Sequence, residues 1–397
     1  MMRQRFLLIG MSDEAEPRFA EEVSRVIAAG KVFSGGVRHH ERVRPLLPAG
    51  AVWIDIATPL DDVFARYADC PEVVVFASGD PLFFGFAATV KRRLPEAEIT
   101  VYPAMNSLQT LAHRLVMPYE DMRVVSLTGR PWHELDRALI EGAPKIGLLT
   151  DRVHTPAAIA RRLMAYGYDE YRMEVGERLG SRTDERLRSL TLAEAARSEF
   201  AQPNCVVLHG PARRARFGVP EQEFELLDGR VNMITKMPVR LTTLALLDLE
   251  RSETFWDVGF CTGSVSIEAK LRFPHLKVHS FEVRAEGERL LRENARRFRA
   301  PGIECHIGDF LSFDCAALPQ PDAVFIGGHG GRLEEMVGRI DGFLRPGGVA
   351  VFNSVSTESC RTFVRAAEAR GLGLECRCRM AVDEHNPIEI IKARKKI

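Results

Sequence analysis

The chain has eight cysteines in 397 residues but no C-x-x-C pair, and Cys376-x-Cys378 has the spacing of alternate strand residues rather than of a zinc knuckle. A zinc ribbon is therefore excluded, and reduced thiols are the expectation. No histidine stands at ligand spacing, since His39, His40 and His385 read as surface or strand residues, so no metal site is expected. Charge of one sign is missing too. Lys+Arg and Asp+Glu balance at 54 each, which removes the net field that recruits nucleic acid or an anionic membrane. No apolar run approaches the roughly 18–20 residues that cross a bilayer. The opening MMRQRFLLIGMSDEAEP has too short an apolar stretch and no small-residue cleavage site, so it predicts a first β-strand rather than a signal peptide. A cytoplasmic protein with neither nucleic-acid nor membrane partners follows as the expectation. Internal repeats and low-complexity tracts are also lacking.

What is present is an ordinary globular composition, 46% hydrophobic and 27% charged, in a chain long enough for two domains. A charged stretch with two prolines, PARRARFGVPEQEFE at 211–225, reads as the linker. Beyond it, strands and helices alternate. Strands are expected at 254–258, 277–283, 303–307, 323–326 and 349–353, with helices at 264–272, 285–299, 333–344 and 357–370. Two late strands near 374–382 and 388–392 have no helix between them. That order predicts a parallel sheet with helices on both faces and an antiparallel pair at its edge. The first half is mixed α/β, with strands at 6–9, 73–77, 99–102, 123–127, 145–149 and 205–208. Its Ala77-Ser-Gly79-Asp80-Pro81 turn puts backbone donors and a carboxylate at the carboxyl edge of a sheet, where α/β proteins bind ligands. Ordinary turn chemistry also explains Gly-Asp-Pro.

The stretch WDVGFCTGSVSIEAK, 256–270, is a strand end, a glycine turn and a helix start. Gly263 follows Gly259 too closely for the G-x-G-x-x-G of a nicotinamide site, and Gly263-Ser264 lacks the lysine of a phosphate loop. The remaining reading is a D/E-x-G-x-G-x-G turn holding the carboxylate and amine of S-adenosylmethionine, here made by Asp257, Gly259, Phe260, Cys261, Thr262 and Gly263. Glu282 ends the next strand, where a carboxylate can accept both ribose hydroxyls. Gly308-Asp309 ends the third, where Asp309 can bond the adenine amine and Phe310 can cover the ring. Together these marks predict a Rossmann-like class I methyltransferase. Cys261 stands where such loops carry a glycine. With a right-handed backbone its Cβ is compatible with binding, so a working site of weaker affinity is expected, the thiol a small filler rather than a catalytic group.

The second half resembles the precorrin-6B decarboxylating methyltransferase family of cobalamin biosynthesis in Met233-Ile-Thr235-Lys236, WDVGFCTGSVSIEA, Gly308-Asp309, FIGGHGGRLEE (325–335), LRPGG (344–348) and FNSVSTES (352–359). The first half resembles the tetrapyrrole methylase family, in its corrin carbon-5 branch, through GGVRHH (35–40), ASGDPLFFG, NSLQTLAHRLVMPYEDMRVVSLTGR (106–130), LLTDRVHTPAAIA (148–160) and GERLGSRTDERLRSLTLAEA (176–195). The combined order resembles the fused precorrin-6Y C(5,15)-methyltransferase (decarboxylating) family. The resemblance implies a two-subdomain tetrapyrrole methylase fold over 1–212, a linker at 213–225 and a class I methyltransferase over 226–397. It further implies S-adenosylmethionine as cofactor, a precorrin substrate and a homo-oligomer. Gly79, Asp80, Pro81, Asn106 and Ser107 would hold cofactor in the first half, and Thr235 would join the cradle of the second.

Several residues depart from the family patterns. Gly10-Met-Ser-Asp13 replaces a glycine-proline loop, Asn106 stands for serine, Thr128 for histidine and His329 for the serine of G-G-S-G-G. Gly328, His329 and Gly330 are the catalytic candidates: the glycines let a ring approach the backbone, and His329 donates a hydrogen bond or proton. Arg332 and Arg361 are candidates for pairing substrate carboxylates. No N-P-P-Y motif is present, which argues against methylation of base amines. Two alternatives stay open: a first half that only binds or channels substrate, and a class I methyltransferase acting on another acceptor.

Overall fold

A computed structural model describes every residue except 1, 2, 13, 15, 214, 231 and 383–385, so Asp13 and His385 lie outside the described residues. The chain divides into two compact units. One comprises 1–130, 145–161 and 171–210; the other comprises 131–144, 162–170 and 211–397. The stretch read as a linker thus belongs to the second unit, as do two short segments of the first half.

The first unit holds two sheets. The strands β1 (Arg5–Met11), β2 (Val32–Gly35), β3 (Val52–Asp55), β4 (Glu72–Ser78) and β5 (Glu98–Tyr102) are all parallel, in the order β3-β2-β4-β1-β5. The strands β6 (Arg123–Ser126), β7 (Lys145–Leu149), β8 (Arg172–Glu177), β9 (Arg186–Thr191) and β10 (Asn204–His209) follow the order β6-β7-β10-β8-β9, parallel at β6–β7 and antiparallel elsewhere. This is the two-subdomain α/β arrangement expected. Four of these strands, β2, β3, β8 and β9, were not foreseen. β2 and β3 are only four residues long, and β9 reads RLRSLT with most positions exposed, so none of these three gives a strong apolar pattern.

The second unit is built on a seven-stranded sheet of β11 (Thr254–Val258), β12 (Lys277–Glu282), β13 (Ile303–Ile307), β14 (Ala323–Ile326), β15 (Val349–Ser354), β16 (Gly373–Met380) and β17 (Ile388–Arg394). Their order is β13-β12-β11-β14-β15-β17-β16, with β17 antiparallel to both β15 and β16 at the edge. Every residue of β11 and β14 is buried, as central parallel strands covered on both faces require. Trp256, Phe281, Phe310, Phe352 and Phe363 fill one face; Phe255, Val278, Phe325 and Val351 fill the other. The chain leaves β11 toward β12 and β13, then returns to β11's other side as β14. The loops after β11 and β14 therefore flank the switch point, the crevice where such sheets take ligands.

A helix at Met237–Leu246, also unforeseen, is tied to the helix Ser264–Arg272 by an ion pair of two wholly buried side chains, Arg240 and Glu268. Glu268 Oε1 also accepts the N–H groups of Gly218 and Val219, while Arg240 donates to the carbonyls of Thr235 and Val219. The stretch at 218–219 and the segment holding Thr235 are thereby fixed to the sheet's covering helices. Among the described residues no helix is long and apolar enough to cross a membrane.

Candidate functional site

Two glycine-rich loops press together at the switch point. Gly259, directly after β11, has φ +79°, and a Cβ there would stand 2.5 Å from the amide nitrogen of Gly328 and 2.8 Å from its Cα. Gly327 in turn donates its N–H to the carbonyl of Val258 at 2.8 Å. Gly263 has φ +76°, and a Cβ on it would lie 2.4 Å from the Leu291 side chain. Both glycines are needed here, one for backbone approach and one for helix packing.

Cys261 corrects the expectation of a right-handed backbone: its φ is +52°. The loop keeps a glycine's conformation with a thiol on it. The Cys261 N–H donates to Glu282 Oε2 at 2.9 Å, and its thiol donates to the carbonyl of Met233 at 3.2 Å. Burial, with the Glu282 carboxylate nearby, pushes that thiol up and away from the reactive thiolate, in keeping with a filler. Because the backbone already sits where glycine would place it, Cys261→Gly is expected to change the dissociation constant for S-adenosylhomocysteine less than about threefold, a difference below ~1 kcal/mol. Calorimetry on both proteins checks this, and a tenfold gain would contradict it.

Glu282 closes the rim. Its Oε1 accepts the N–H of Arg284 at 3.1 Å and lies 3.5 Å from the Arg284 guanidinium, while Oε2, which accepts the Cys261 N–H, keeps a further lone pair for a ligand hydroxyl. Asp257, in β11, is fully buried, and its Oδ1 has no partner among the described residues. Its Oδ2 accepts both the N–H and the hydroxyl of Ser266, pinning the loop to the helix that follows. Burial is the main cause that raises its pKa to about 7. A folded pKa above the unfolded value of ~3.9 gives stability that is complete below about pH 4 and lost as pH rises toward 7. Asp257→Asn is expected to flatten that fall, read as the urea midpoint between pH 4 and pH 8.

Thr262 has its Oγ1 buried with no partner among the described residues, while its carbonyl accepts from Asn294 at 3.0 Å. Phe260 packs into the apolar cluster behind the turn. Thr235, partly exposed, is held through its carbonyl by Arg240 at 2.7 Å.

Two other expectations shift. Phe310 was read as a cover for the adenine ring, but it is 4% exposed and meets Phe281 edge-on at 5.1 Å, so its ring is part of the core. Asp309 is half-exposed, and its Oδ2 pairs with Arg332 at 3.0 Å. Arg332 is also engaged by both carboxylate oxygens of Glu335, which commits to the protein a guanidinium read as a substrate contact. Arg361 is exposed on the helix 357–369.

In the loop after β14, Gly328 and Gly330 are exposed and His329 is half-buried, its ring edge-on to Phe352 at 5.8 Å. Burial lowers its pKa, so the ring is neutral at pH 7. Its Nδ1 accepts the N–H of Gly331 at 3.2 Å, which puts the proton on Nε2 and makes that nitrogen the donor.

The first unit gathers a second cluster at the carboxyl edge of β1, β4 and β5. A Cβ on Gly10 would fall 2.1 Å from the carbonyl oxygen of Gly79, and one on Gly79 would fall 2.8 Å from the Cα of Asn106. Asp80 accepts the N–H of Leu82 at 2.8 Å, and the carbonyl of Pro81 lies against Gly85. Asn106 caps the helix Ser107–Arg114: its Oδ1 accepts the N–H of Gln109 at 2.9 Å, and Gln109 returns the bond at 3.0 Å. Asparagine caps as well as serine, which accounts for this departure physically. Thr128 donates to the carbonyl of Thr150 at 3.1 Å. The same unit contains a cleft of about 560 Å³ lined by Arg38, Arg42, Arg152 and Arg178 with Ser181 and Thr183. None of these arginines was singled out in the sequence, although Arg38, Arg152 and Arg178 sit in the quoted stretches GGVRHH, LLTDRVH and GERLG.

Comparison with known proteins bears on both units. Residues 20–196 match the family model of tetrapyrrole (corrin/porphyrin) methylases, and 227–395 match that of the precorrin methyltransferase domain. A precorrin-6Y C(5,15)-methyltransferase [decarboxylating] of a Sinorhizobium species is 34% identical, over 88% of this chain and 84% of that protein. A cobalt-precorrin-6B C(15)-methyltransferase (decarboxylating) of Salmonella typhimurium is 40% identical, over 32% of this chain and 64% of its own length. A crystal structure of a precorrin-6Y C5,15-methyltransferase from Geobacter metallireducens is 32% identical, with a TM-score of 0.42, over 45% of this chain and 98% of that one.

Proposed function

The chain belongs to the precorrin-6Y C(5,15)-methyltransferase (decarboxylating) family, and from that membership we propose a division of labour between its halves. The family's activity is methylation of a precorrin at ring carbons 5 and 15 with loss of one carboxyl group, in cobalamin biosynthesis. We assign carbon-15 methylation and decarboxylation to residues 226–397, and carbon-5 methylation to residues 1–212. The methyl donor we assign is S-adenosylmethionine, and the setting is the cytoplasm.

The observation that carries the second-half assignment is the meeting of Gly259 with Gly328 at the switch point, beside the rim carboxylate of Glu282. The residues present fit the donor. The turn at 259–263 is a cradle that a Cβ at Gly259 would disrupt, Thr262 has an unpartnered hydroxyl, and Glu282 Oε2 keeps a lone pair for a ribose hydroxyl. When bound, S-adenosylmethionine supplies an electrophilic methyl group on a sulfonium. The protein's task is to hold that group and the ring carbon in line, and such positioning can supply much of the rate. His329 offers an Nε2–H at the loop facing the cradle, suited to donating a hydrogen bond to a substrate carboxylate. The exposed glycines around it let a flat macrocycle approach the backbone. The conjugated ring is its own electron sink for carboxyl loss, so no strong protein base is required.

Arg38, Arg42 and Arg152 of the first unit's cleft, with Arg178 paired to Asp184 at its wall, suit a substrate rich in carboxylates, because guanidinium groups bind them bidentately. A second reading makes this half a binding or channelling module. It draws on β1, which runs as a paired strand through Met11 and leads into Ser12 and Asp13 in place of the glycine-proline loop that the family resemblance implies. Mass spectrometry of the precorrin product separates the two. Two methyl gains with one carbon dioxide loss support the full assignment; one methyl gain with that loss supports the second reading. Absence of S-adenosylhomocysteine binding by calorimetry would sink both.

A further inference from the structure

β13 is the outer strand of the second unit's sheet, and its neighbour β12 carries a histidine that methyl transfer does not use. His279 is 2% exposed and pairs in register with Glu304, while His306 lies opposite Phe281. Nδ1 of His279 stands 3.2 Å from Nε2 of His306 and 3.3 Å from Oε2 of Glu304. One ligand atom from each of the three side chains lies within 4.8 Å of the others.

A neutral imidazole nitrogen carries either one proton or one lone pair, so a single strong hydrogen bond accounts for one of these approaches and leaves the other. A shared cation accounts for both. Two ligand atoms about 2.0–2.1 Å from a tetrahedral ion stand roughly 3.3–3.4 Å apart, close to the separations found. Burial keeps both imidazoles neutral at pH 7 and so able to offer lone pairs. Lys277, on the same strand, is the cation that opposes a metal here, and the Glu304 carboxylate offsets it. The His306 ring is already oriented, packed on Phe281 at 4.8 Å and Phe313 at 5.0 Å.

We propose that His279, Glu304 and His306 bind one divalent transition-metal ion of the zinc class, bridging β12 to the edge strand β13. Two imidazoles and one carboxylate select borderline ions over magnesium or calcium. Glu304 is 65% exposed, so the remaining coordination positions face water and the site is reachable. His279 points to the opposite face of β12 from Glu282, so the proposal stands apart from the cofactor reading.

The test is calorimetric titration of zinc chloride into the untagged full chain after chelator treatment, paired with thermal melts. One ion per chain is expected, with a midpoint rise of roughly 5–10 °C at about a hundredfold excess over the dissociation constant. His306→Asn and Glu304→Gln, each compared with its own metal-free midpoint, should lose at least about tenfold in affinity and lose the rise. Cobalt(II) should give visible absorption bands of a four-coordinate site that vanish in His306→Asn. No stoichiometric uptake, or uptake equal in both variants and the parent chain, would overturn the proposal.

Discussion

Gly259→Ala is expected to remove S-adenosylhomocysteine binding and to lower carbon-15 methylation and decarboxylation by at least about a hundredfold, some 2.7 kcal/mol. Two costs act together. The residue sits at φ +79°, and a side chain in the left-handed region costs roughly 1–2 kcal/mol. The added Cβ also meets backbone rather than a flexible side chain, 2.5 Å from the nitrogen and 2.8 Å from the oxygen of Gly328. Relief requires the loop at 327–331 to move away, which separates His329 from the cradle. Gly330→Ala is the control. Gly330 has φ +56° with open space around its missing Cβ, so it carries the conformational cost without the collision. Its loss should stay within about tenfold, and carbon-5 methylation should persist in both variants. Equal losses in the two would show that strain, not the meeting of the loops, governs the site.

The parts of this site readable in the sequence are those that are local. β11, β14 and the helix at 264–272 fall where the alternation of strands and helices, with a glycine turn before the helix, placed them. The cradle residues 259–263 lie in one turn, so their spacing alone states their relation. What was not legible depends on register across the sheet. Phe310 was read as a cover for the adenine ring, but the turn after β13 carries it into the core beside Phe281 and Trp256. Arg332 was read as substrate-facing, but Asp309 and Glu335 reach it from a neighbouring loop and the next helical turn. His279, Glu304 and His306 have no motif spacing, and only the parallel pairing of β12 with β13 brings them together. The arginine cleft likewise draws on three separate stretches of chain.

Glu268→Ala is expected to produce the largest stability loss, about 3–5 kcal/mol, because it strands a buried guanidinium. Neither Arg240 nor Glu268 exposes any side-chain surface. Removing the carboxylate leaves the N–H groups of Gly218 and Val219 without their acceptor and Arg240 without its counter-charge. Glu268→Gln keeps one acceptor oxygen but turns its NH2 toward a donor, either Arg240 Nε–H or the two amides, so it should still destabilise, by less than Glu268→Ala. Combining Glu268→Leu with Arg240→Met removes both charges, and the double variant should recover much of the loss of Glu268→Leu alone. Urea midpoints of the single and double variants measure that coupling. The consequence reaches the cofactor site, because Arg240 holds the carbonyl of Thr235 and the neighbouring Met233 carbonyl receives the Cys261 thiol. Glu268→Ala should therefore weaken S-adenosylhomocysteine binding even at temperatures where the protein stays folded. An unchanged dissociation constant in that variant would mean that the segment at 233–236 supports the fold without supporting the ligand.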